Sequence, residues 1–385
     1  MSAAAEPTEA ANRYVALQPG DPAPWFHQRS TSNPRYAFDT AAGRYIVLCF
    51  LASAGDSDGK AALEAVEANR RFFDDERACF FGVTLDPADE GRVKESVPGL
   101  RYFLDFDGSA SRLYGAVPIG ATSGQVQARR FWMVLDPTLH VMAVFDFKPD
   151  GSDRRAVFDF VSKLPPPETF AGFEIPAPIL VLPNVFERDL CRHLIGLYEE
   201  HGGQESGFMR DVGGKTVLMH DHGHKRRKDY NVTDQELIKT IQSRIMRRIN
   251  PELLKIYAFR ATRMERYIVS CYSADDGGHF RAHRDNTTKG TAHRRFAVSI
   301  NLNAEFEGGE VSFPEYGKRS YKAPAGGAVV FPCAILHQVS RVTEGMRYAF
   351  LPFLYDDAAA KIREENNKHL AEGVGEYKAA STTVN

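Results

Sequence analysis

The 385-residue chain has little that could hold it together covalently or carry it into a membrane. Its five cysteines, Cys49, Cys79, Cys191, Cys271 and Cys333, show no paired spacing. Several lie in apolar runs where a thiol behaves as a small hydrophobe, which argues against a disulfide scaffold and fits a reduced cytoplasm. Nowhere do about eighteen apolar residues run together, and the Ala-, Glu- and Thr-rich start has no basic region followed by an apolar stretch, so neither membrane insertion nor secretion is expected. An excess of one sign of charge is missing as well. Against 50 Asp and Glu stand 48 Lys and Arg, a formal charge of −2 that gives no global attraction to nucleic acid or to an anionic membrane. The one basic run, Lys225 to Lys228, is too short to change that. No internal repeat is evident, and the apolar, aromatic and charged fractions are those of ordinary globular proteins. A chain of this length exceeds what one hydrophobic core usually serves, so two domains are expected.

The organisation along the chain supports this. Residues 1–18 are small and polar without a sustained period and read as a flexible lead-in. From 19 to 164, apolar runs such as YIVLCF from Tyr45, ACFFGVTL from Ala78 and FWMVLD from Phe131 alternate with helical patterns, notably Ala61 to Phe73. Such alternation predicts an α/β domain with a partly parallel sheet. Residues 165–178 are proline-rich and can continue neither a helix nor a central strand, which makes them a linker. Over 179–357 two helical segments come first, Glu187 to His201 and Thr233 to Ile249, the second opening on a Thr-Asp-Gln-Glu capping signal. Strand-like runs follow at Met264 to Ser273, Arg295 to Asn303, Gly309 to Phe313, Gly327 to Phe331, Ile335 to Val342 and Arg347 to Leu354. Their turn signals at hairpin spacing predict a β-barrel or jelly roll with flanking helices. The tail, 358–385, is expected to begin as a charged helix and to end disordered.

The chemistry is carried by four residues. In HFRAHRDN, His283 and Asp285 are two apart, so on a strand or strand end both project from one face and can clamp one ion. His337, in the β-rich run AILHQVSRV, could close the site. Each of these, taken alone, reads as a solvated turn or a core histidine. Arg347 changes the balance, because a guanidinium aimed into a barrel needs an anion there. Two histidines and a carboxylate leave half of an octahedral iron open, the facial arrangement of Fe(II) oxygenases. The chelating end of 2-oxoglutarate and O2 would take those positions, and the Arg347 fork matches the distal carboxylate.

These residues and their setting resemble the 2-oxoglutarate-dependent prolyl 4-hydroxylase-like superfamily over roughly Pro178 to Asp357. The likeness is carried by CYSADDGGHFRAHRDN from Cys271, AVSINLN from Ala297, FEGGEVSFPEYG from Phe306, AGGAVVFP from Ala325, His337, and RYAFLPFLYD from Arg347. The resemblance implies a double-stranded β-helix, iron, 2-oxoglutarate and O2, with ascorbate as an accessory reductant. It further implies oxidation of a prolyl, peptidyl or amino-acid-like substrate with release of succinate and CO2, and a homodimer is compatible with it. By the same likeness Tyr272 lines the cosubstrate pocket. Asn301 stands where relatives have a tyrosine that helps bind the cosubstrate. The substrate is not legible, and desaturation or cyclisation stays open beside hydroxylation.

Other polar clusters have plainer explanations. His220, His222 and His224 alternate in HDHGH, but with Lys225, Arg226 and Arg227 they read as a polar loop, either structural or substrate-facing. Neither His279 nor His293 is assigned to the metal. Gly308 and Gly309, like Gly326 and Gly327, suit tight turns, because no helix follows either pair.

In the N-terminal half, GDPAPWF from Gly20, RYIVLCF from Arg44 and RRFWMVLDP from Arg129 resemble the peroxiredoxin branch of the thioredoxin fold. Where that family keeps its peroxidatic cysteine this chain reads FLASAGDSDGK from Phe50, with Gly59 nearest the nucleophile's position, and Arg130 matches the family's active-site arginine. Without the thiol no sulfenic acid can form, so a catalytically silent module for docking, substrate presentation or dimerisation is expected. Three functional classes are therefore weighed: a dioxygenase, a thiol-dependent redox protein, and a non-catalytic binding protein with a vestigial metal pocket.

Overall fold

A run such as YIVLCFLA, apolar on every position, can only be a strand covered on both faces. In the computed structural model, which describes residues 13–120 and 127–374, Tyr45–Ala52 is that strand and lies at the centre of a five-stranded sheet. The first residues of the lead-in and the end of the tail lie outside the described residues. The chain divides into two compact units, Met1–Pro176 with Pro314–Gly317, and Ala177–Phe313 with Lys318–Asn385.

In the first unit the strand order is Leu100–Leu104, Ala78–Thr84, Tyr45–Ala52, Phe131–Leu135, Val141–Asp146. The first two pairings are parallel and the last two antiparallel. With helices Ser57–Ala68, Ser109–Tyr114 and Ser152–Ser162 this is a thioredoxin-like α/β arrangement. The first helix begins earlier than the apolar period suggests because Asp56 caps it, accepting from the Gly59 amide at 2.8 Å. It also ends earlier, at Ala68, and the chain continues as a short 3-10 turn over Arg70–Phe72.

The second unit is a double-stranded β-helix. Its larger sheet runs Arg263–Glu265, Phe353–Tyr355, Phe296–Asn301, Val342–Phe350, Ile268–Ser273, Lys228–Asn231, Gln204–Glu205. Its smaller sheet runs Lys225–Arg226, His279–His283, His337–Val339, Val311–Ser312, Ser320–Tyr321. Alternation along the larger sheet decides what goes where. Phe296, Val298 and Ile300, with Val269, Cys271, Tyr348 and Phe350, share one core with Leu194, Ile241, Ile245 and Leu253 of helices Arg188–His201, Gln235–Arg248 and Asn250–Tyr257. Each such buried aliphatic contributes about 1.5–3 kcal/mol. The intervening residues, Ala297, Ser299 and Asn301, with Tyr272 and Arg347, therefore belong to the opposite face.

Three sequence expectations are corrected here. The single strand expected over Met264 to Ser273 is broken at Arg266, which adopts a left-handed conformation with φ 68° between two short strands. The run Ile335 to Val342 is two strands, since His337–Val339 pairs in the smaller sheet while Val342–Phe350 belongs to the larger. Lys225 to Lys228 is not loop: Lys225–Arg226 and Lys228–Asn231 are strands in different sheets, and Lys225 and Arg227 are buried. The antiparallel hairpin Phe208–Val212 with Lys215–Met219 had no counterpart in the sequence-based expectation.

Candidate metal centre

His283 and His337 occupy adjacent antiparallel strands of the smaller sheet and stand directly opposite each other. Asp285 follows just past the end of the His279–His283 strand, its amide held by the Cys333 carbonyl at 2.9 Å. The donor atoms of the three residues all lie within 4.8 Å of one another. Neighbouring rings fix the imidazoles: Phe280 stacks on His283 with centroids 3.5 Å apart, and Phe331 lies 4.6 Å from His337.

Hydrogen bonding sets which ring nitrogen is available. His283 Nδ1 lies 2.7 Å from the Arg281 carbonyl and His337 Nδ1 lies 3.1 Å from the Ile335 carbonyl. A carbonyl only accepts, so each Nδ1 carries the proton and each Nε2 presents a lone pair. Those lone pairs face the carboxylate of Asp285, His283 Nε2 at 3.5 Å from Oδ1 and His337 Nε2 at 3.3 Å from Oδ2. Burial and the neighbouring His337 push His283 down to about 4, which keeps it neutral. Three acceptors converging on one point leave a place for a cation, and two imidazoles with one carboxylate suit Fe(II).

A cavity opens from this point, walled by Tyr272, Ser299, Phe331 and Arg347 among others. Arg347 is buried, and its Nε donates to Asn301 Oδ1 at 3.0 Å while Nη2 donates to Ser299 Oγ at 2.7 Å. Its Nη1 is buried and has no hydrogen-bond partner among the described residues. Burial lowers its pKa. A guanidinium held at two corners with the third unfilled is shaped for an anionic ligand, such as the distal carboxylate of 2-oxoglutarate.

All four residues singled out for chemistry thus meet in one cavity. Tyr272 lines it, with its ring 5.2 Å from the Arg347 guanidinium carbon. Asn301 stands one step back: its Oδ1 is taken by Arg347 and its Nδ2 donates to the Ala323 carbonyl at 2.7 Å, so it orients the arginine. Ser299, the second holder of Arg347, was not singled out from the sequence, although the alternation in FAVSIN places it on the same face as Asn301. Arg227 and Arg266 also line the cavity and were missed, because the first lay in an apparent loop and the second inside an apparently continuous strand.

Residues 267–355, which contain His283, Asp285, His337 and Arg347, match the sequence model of the 2OG-Fe(II) oxygenase superfamily. They form a 2OG-Fe(II) oxygenase domain. A PKHD-type hydroxylase from Synechococcus sp. (strain JA-2-3B'a(2-13)) is 29% identical over 118 residues, 29% of this chain and 52% of the relative. The chain spans about half the length of the first curated relatives it matches. Among solved structures, a prolyl-4-hydroxylase from Pseudomonas putida aligns with TM-score 0.36 and 13% identity over 47% of this chain and 93% of that one. Peroxidoxin BcpB from Mycobacterium tuberculosis aligns with TM-score 0.32 and 17% identity over 38% of this chain and 94% of that one.

Of the remaining polar clusters, His224 packs on Phe280 with centroids 5.4 Å apart and lies 6.3 Å from the His283 ring, while the others stand away from the metal set. His222 Nε2 and His220 Nδ1 both approach Glu205 Oε1, at 2.6 and 3.6 Å. His293 is buried against Glu265 at 3.1 Å. In the first unit Arg130 is paired with Asp56 at 2.5 Å and Asp58 at 3.1 Å. A Cβ on Gly59 would lie 1.9 Å from the Ser53 carbonyl oxygen, so the thiol-bearing residue of a peroxidase cannot stand there without displacing backbone. Cys49 is fully buried in its strand and its thiol is pushed well up by burial.

Proposed function

We propose that this protein is an Fe(II)- and 2-oxoglutarate-dependent hydroxylase acting on a prolyl, peptidyl or amino-acid-like substrate. The observation that carries this is the pair of bare Nε2 lone pairs facing the Asp285 carboxylate, beside a buried Arg347 with one unfilled corner. His283, Asp285 and His337 would hold the iron, and Arg347 the distal carboxylate of the cosubstrate. Iron with 2-oxoglutarate and O2, when bound, supplies the oxidative decarboxylation that yields succinate and CO2 and places one oxygen atom on the substrate.

The chain's own contribution is placement. The carbonyls of Arg281 and Ile335 fix both imidazole tautomers, and Ser299 and Asn301 fix the guanidinium plane. Phe280, Val311, Phe331 and Val339 line the cavity with hydrocarbon. The hydroxylase name of the Synechococcus relative supports hydroxylation as the outcome. Five buried, unpaired cysteines are consistent with a reducing compartment such as the cytoplasm. Among the described residues no helix is long and apolar enough to cross a membrane.

Anaerobic addition of Fe(II) and then 2-oxoglutarate tests the proposal. A visible charge-transfer band that needs both additions, followed in air by release of succinate, is the expected result. Absence of the band at saturating concentrations of both would rule the function out.

A further inference from the structure

Among the residues lining the oxygenase cavity there is one carboxylate, Asp285, and three arginines, Arg227, Arg266 and Arg347. Asp285 belongs to the metal set and Arg347 to the cosubstrate. Both of the other cations reach the Asp229 carboxylate. Arg227 donates from Nη2 to Oδ2 at 2.8 Å, and its Nε lies 2.7 Å from Oδ1 in an ion pair without hydrogen-bond geometry. Ser270 Oγ donates to Oδ1 at 2.7 Å. Arg266 is left with an edge contact, 3.6 Å from Oδ2.

Arg266 is therefore the under-neutralised cation of the wall. Its side chain is 31% exposed, its guanidinium carbon lies 5.7 Å from the centre of the Phe353 ring, and Phe353 is also a cavity residue. Arg294 covers the same ring at 4.0 Å, but it is committed to Glu265 at 2.7 Å. Lys225 is committed too, donating to Ser206 Oγ at 2.8 Å and to the Gly207 carbonyl at 2.6 Å. Burial, and after it the neighbouring Arg227, bring the pKa of Arg266 down to about 10. Arg266 also holds φ 68°, where the chain passes between two short strands with different partners.

We propose that Arg266 is the receptor for a carboxylate on the substrate, so that the enzyme selects a target whose oxidised carbon lies near an acidic group. The proposal rests on the hydroxylase function given above and adds the charge of the substrate to it. Arg227 would act as a positioning residue, locking Asp229 and donating to the Tyr272 hydroxyl at 3.3 Å, which leaves the Arg266 fork free to turn toward the incoming anion. A planar fork beside an aromatic face suits a carboxylate better than a point charge does.

Calorimetric binding with two pools of proline-containing peptides tests this. The pools are identical except for glutamate or glutamine next to the proline, and the protein is loaded with Mn(II) and 2-oxoglutarate so that no turnover is needed. Wild type should favour the glutamate pool by roughly ten- to a hundredfold, and added salt should shrink the preference. Arg266→Gln should bind both pools alike, and Arg266→Lys should keep part of the preference. Free glutamate and glutamine, as a second arm, separate a peptide side chain from a free amino acid as the source of the carboxylate. A wild type that treats each pair alike, or an Arg266→Gln variant that keeps the preference, overturns the proposal. So does an Arg266→Gln variant whose 2-oxoglutarate requirement rises, because Arg266 would then serve the cosubstrate. Loss of the Fe(II)/2-oxoglutarate band in wild type would instead remove the hydroxylase function, and is read separately.

Discussion

Arg347 stands directly opposite Tyr272 on the neighbouring antiparallel strand, with its guanidinium carbon 5.2 Å from the centre of the tyrosine ring. The register of two strands thus puts a cation and an aromatic face at the same depth of the barrel. With Ser299 and Asn301 on the next strand they form a polar floor beneath the metal centre.

Because Arg347 Nη1 has no partner among the described residues, the ligand-free protein bears the cost of a buried, partly unsatisfied cation. Arg347→Leu is expected to leave the melting temperature of the metal- and cosubstrate-free protein unchanged or higher. It should raise the 2-oxoglutarate requirement on the order of a hundredfold, while the iron requirement changes little. Thermal melts with and without 2-oxoglutarate, and titration of the visible band, measure both. A fall in ligand-free stability together with normal cosubstrate binding would show that the arginine is structural.

The three acceptors around the metal point repel one another when no cation lies between them. Addition of Mn(II) should therefore raise the melting temperature of wild type, and a chelator should reverse the rise. In His283→Ala and Asp285→Ala the metal-dependent rise should vanish together with succinate release. Either variant keeping both at the wild-type level would refute the donor set.

Glu265 is buried and receives three cationic or imidazole partners, Arg294 and Arg363 at 2.7 Å each and His293 at 3.1 Å. Its burial alone would raise its pKa, but Arg294, His293 and Arg363 hold it well below its ordinary value of 4.5. A carboxyl with a depressed folded-state pKa contributes its stability in full above the unfolded-state value and loses it as pH falls below about 4.5 toward the folded value. Glu265→Gln should destabilise the barrel by about 3 kcal/mol at neutral pH and flatten the acid limb of the stability profile. Denaturant melts from pH 7 down to pH 3 measure both, and an unchanged acid limb would place the acid sensitivity elsewhere.

The thioredoxin-like unit should show no peroxidase turnover, and restoring a cysteine should not supply it. Gly59→Cys drives a Cβ into the Ser53 carbonyl, and the Arg130 that would have to steady a thiolate is held by Asp56 and Asp58. The variant is expected to lose about 1–3 kcal/mol of stability and to consume no hydroperoxide in a thiol-coupled assay. Turnover by Gly59→Cys would mean that the turn can rearrange into a working thiol site.

Much of the site was legible because its chemistry is local. His283 and Asp285 are neighbours on one strand end, and a histidine and an arginine on later strands completed a set whose residue types specify a metal and a dicarboxylate. The helices that back the larger sheet could be read as well, since their apolar period is long and Asp234 caps one of them, accepting from the Leu237 amide at 2.6 Å. The second ring of the site was hidden. Ser299 carries no chemistry of its own until Arg347 is placed beside it. The KRRK run reads as solvated charge until the fold carries Arg227 inward to meet Asp229. Nothing in MERYIVS announces that the chain turns left-handed at Arg266, because that residue's conformation is imposed by the strands on either side.

The sequence by itself determined the donor types, their order, and the alternation that sends Phe296, Val298 and Ile300 outward to the helices and Ser299 and Asn301 inward. Those follow from side-chain chemistry and from the two-residue period of a strand, both local properties. Only the tertiary structure decided that His283 and His337 face each other across a strand pair, that Asn301 steadies Arg347, and that Arg227 and Arg266 divide one carboxylate between them. Such relations depend on strand register and on the low-dielectric interior that makes an unbalanced charge costly, and neither exists until the sheets have closed around the cavity.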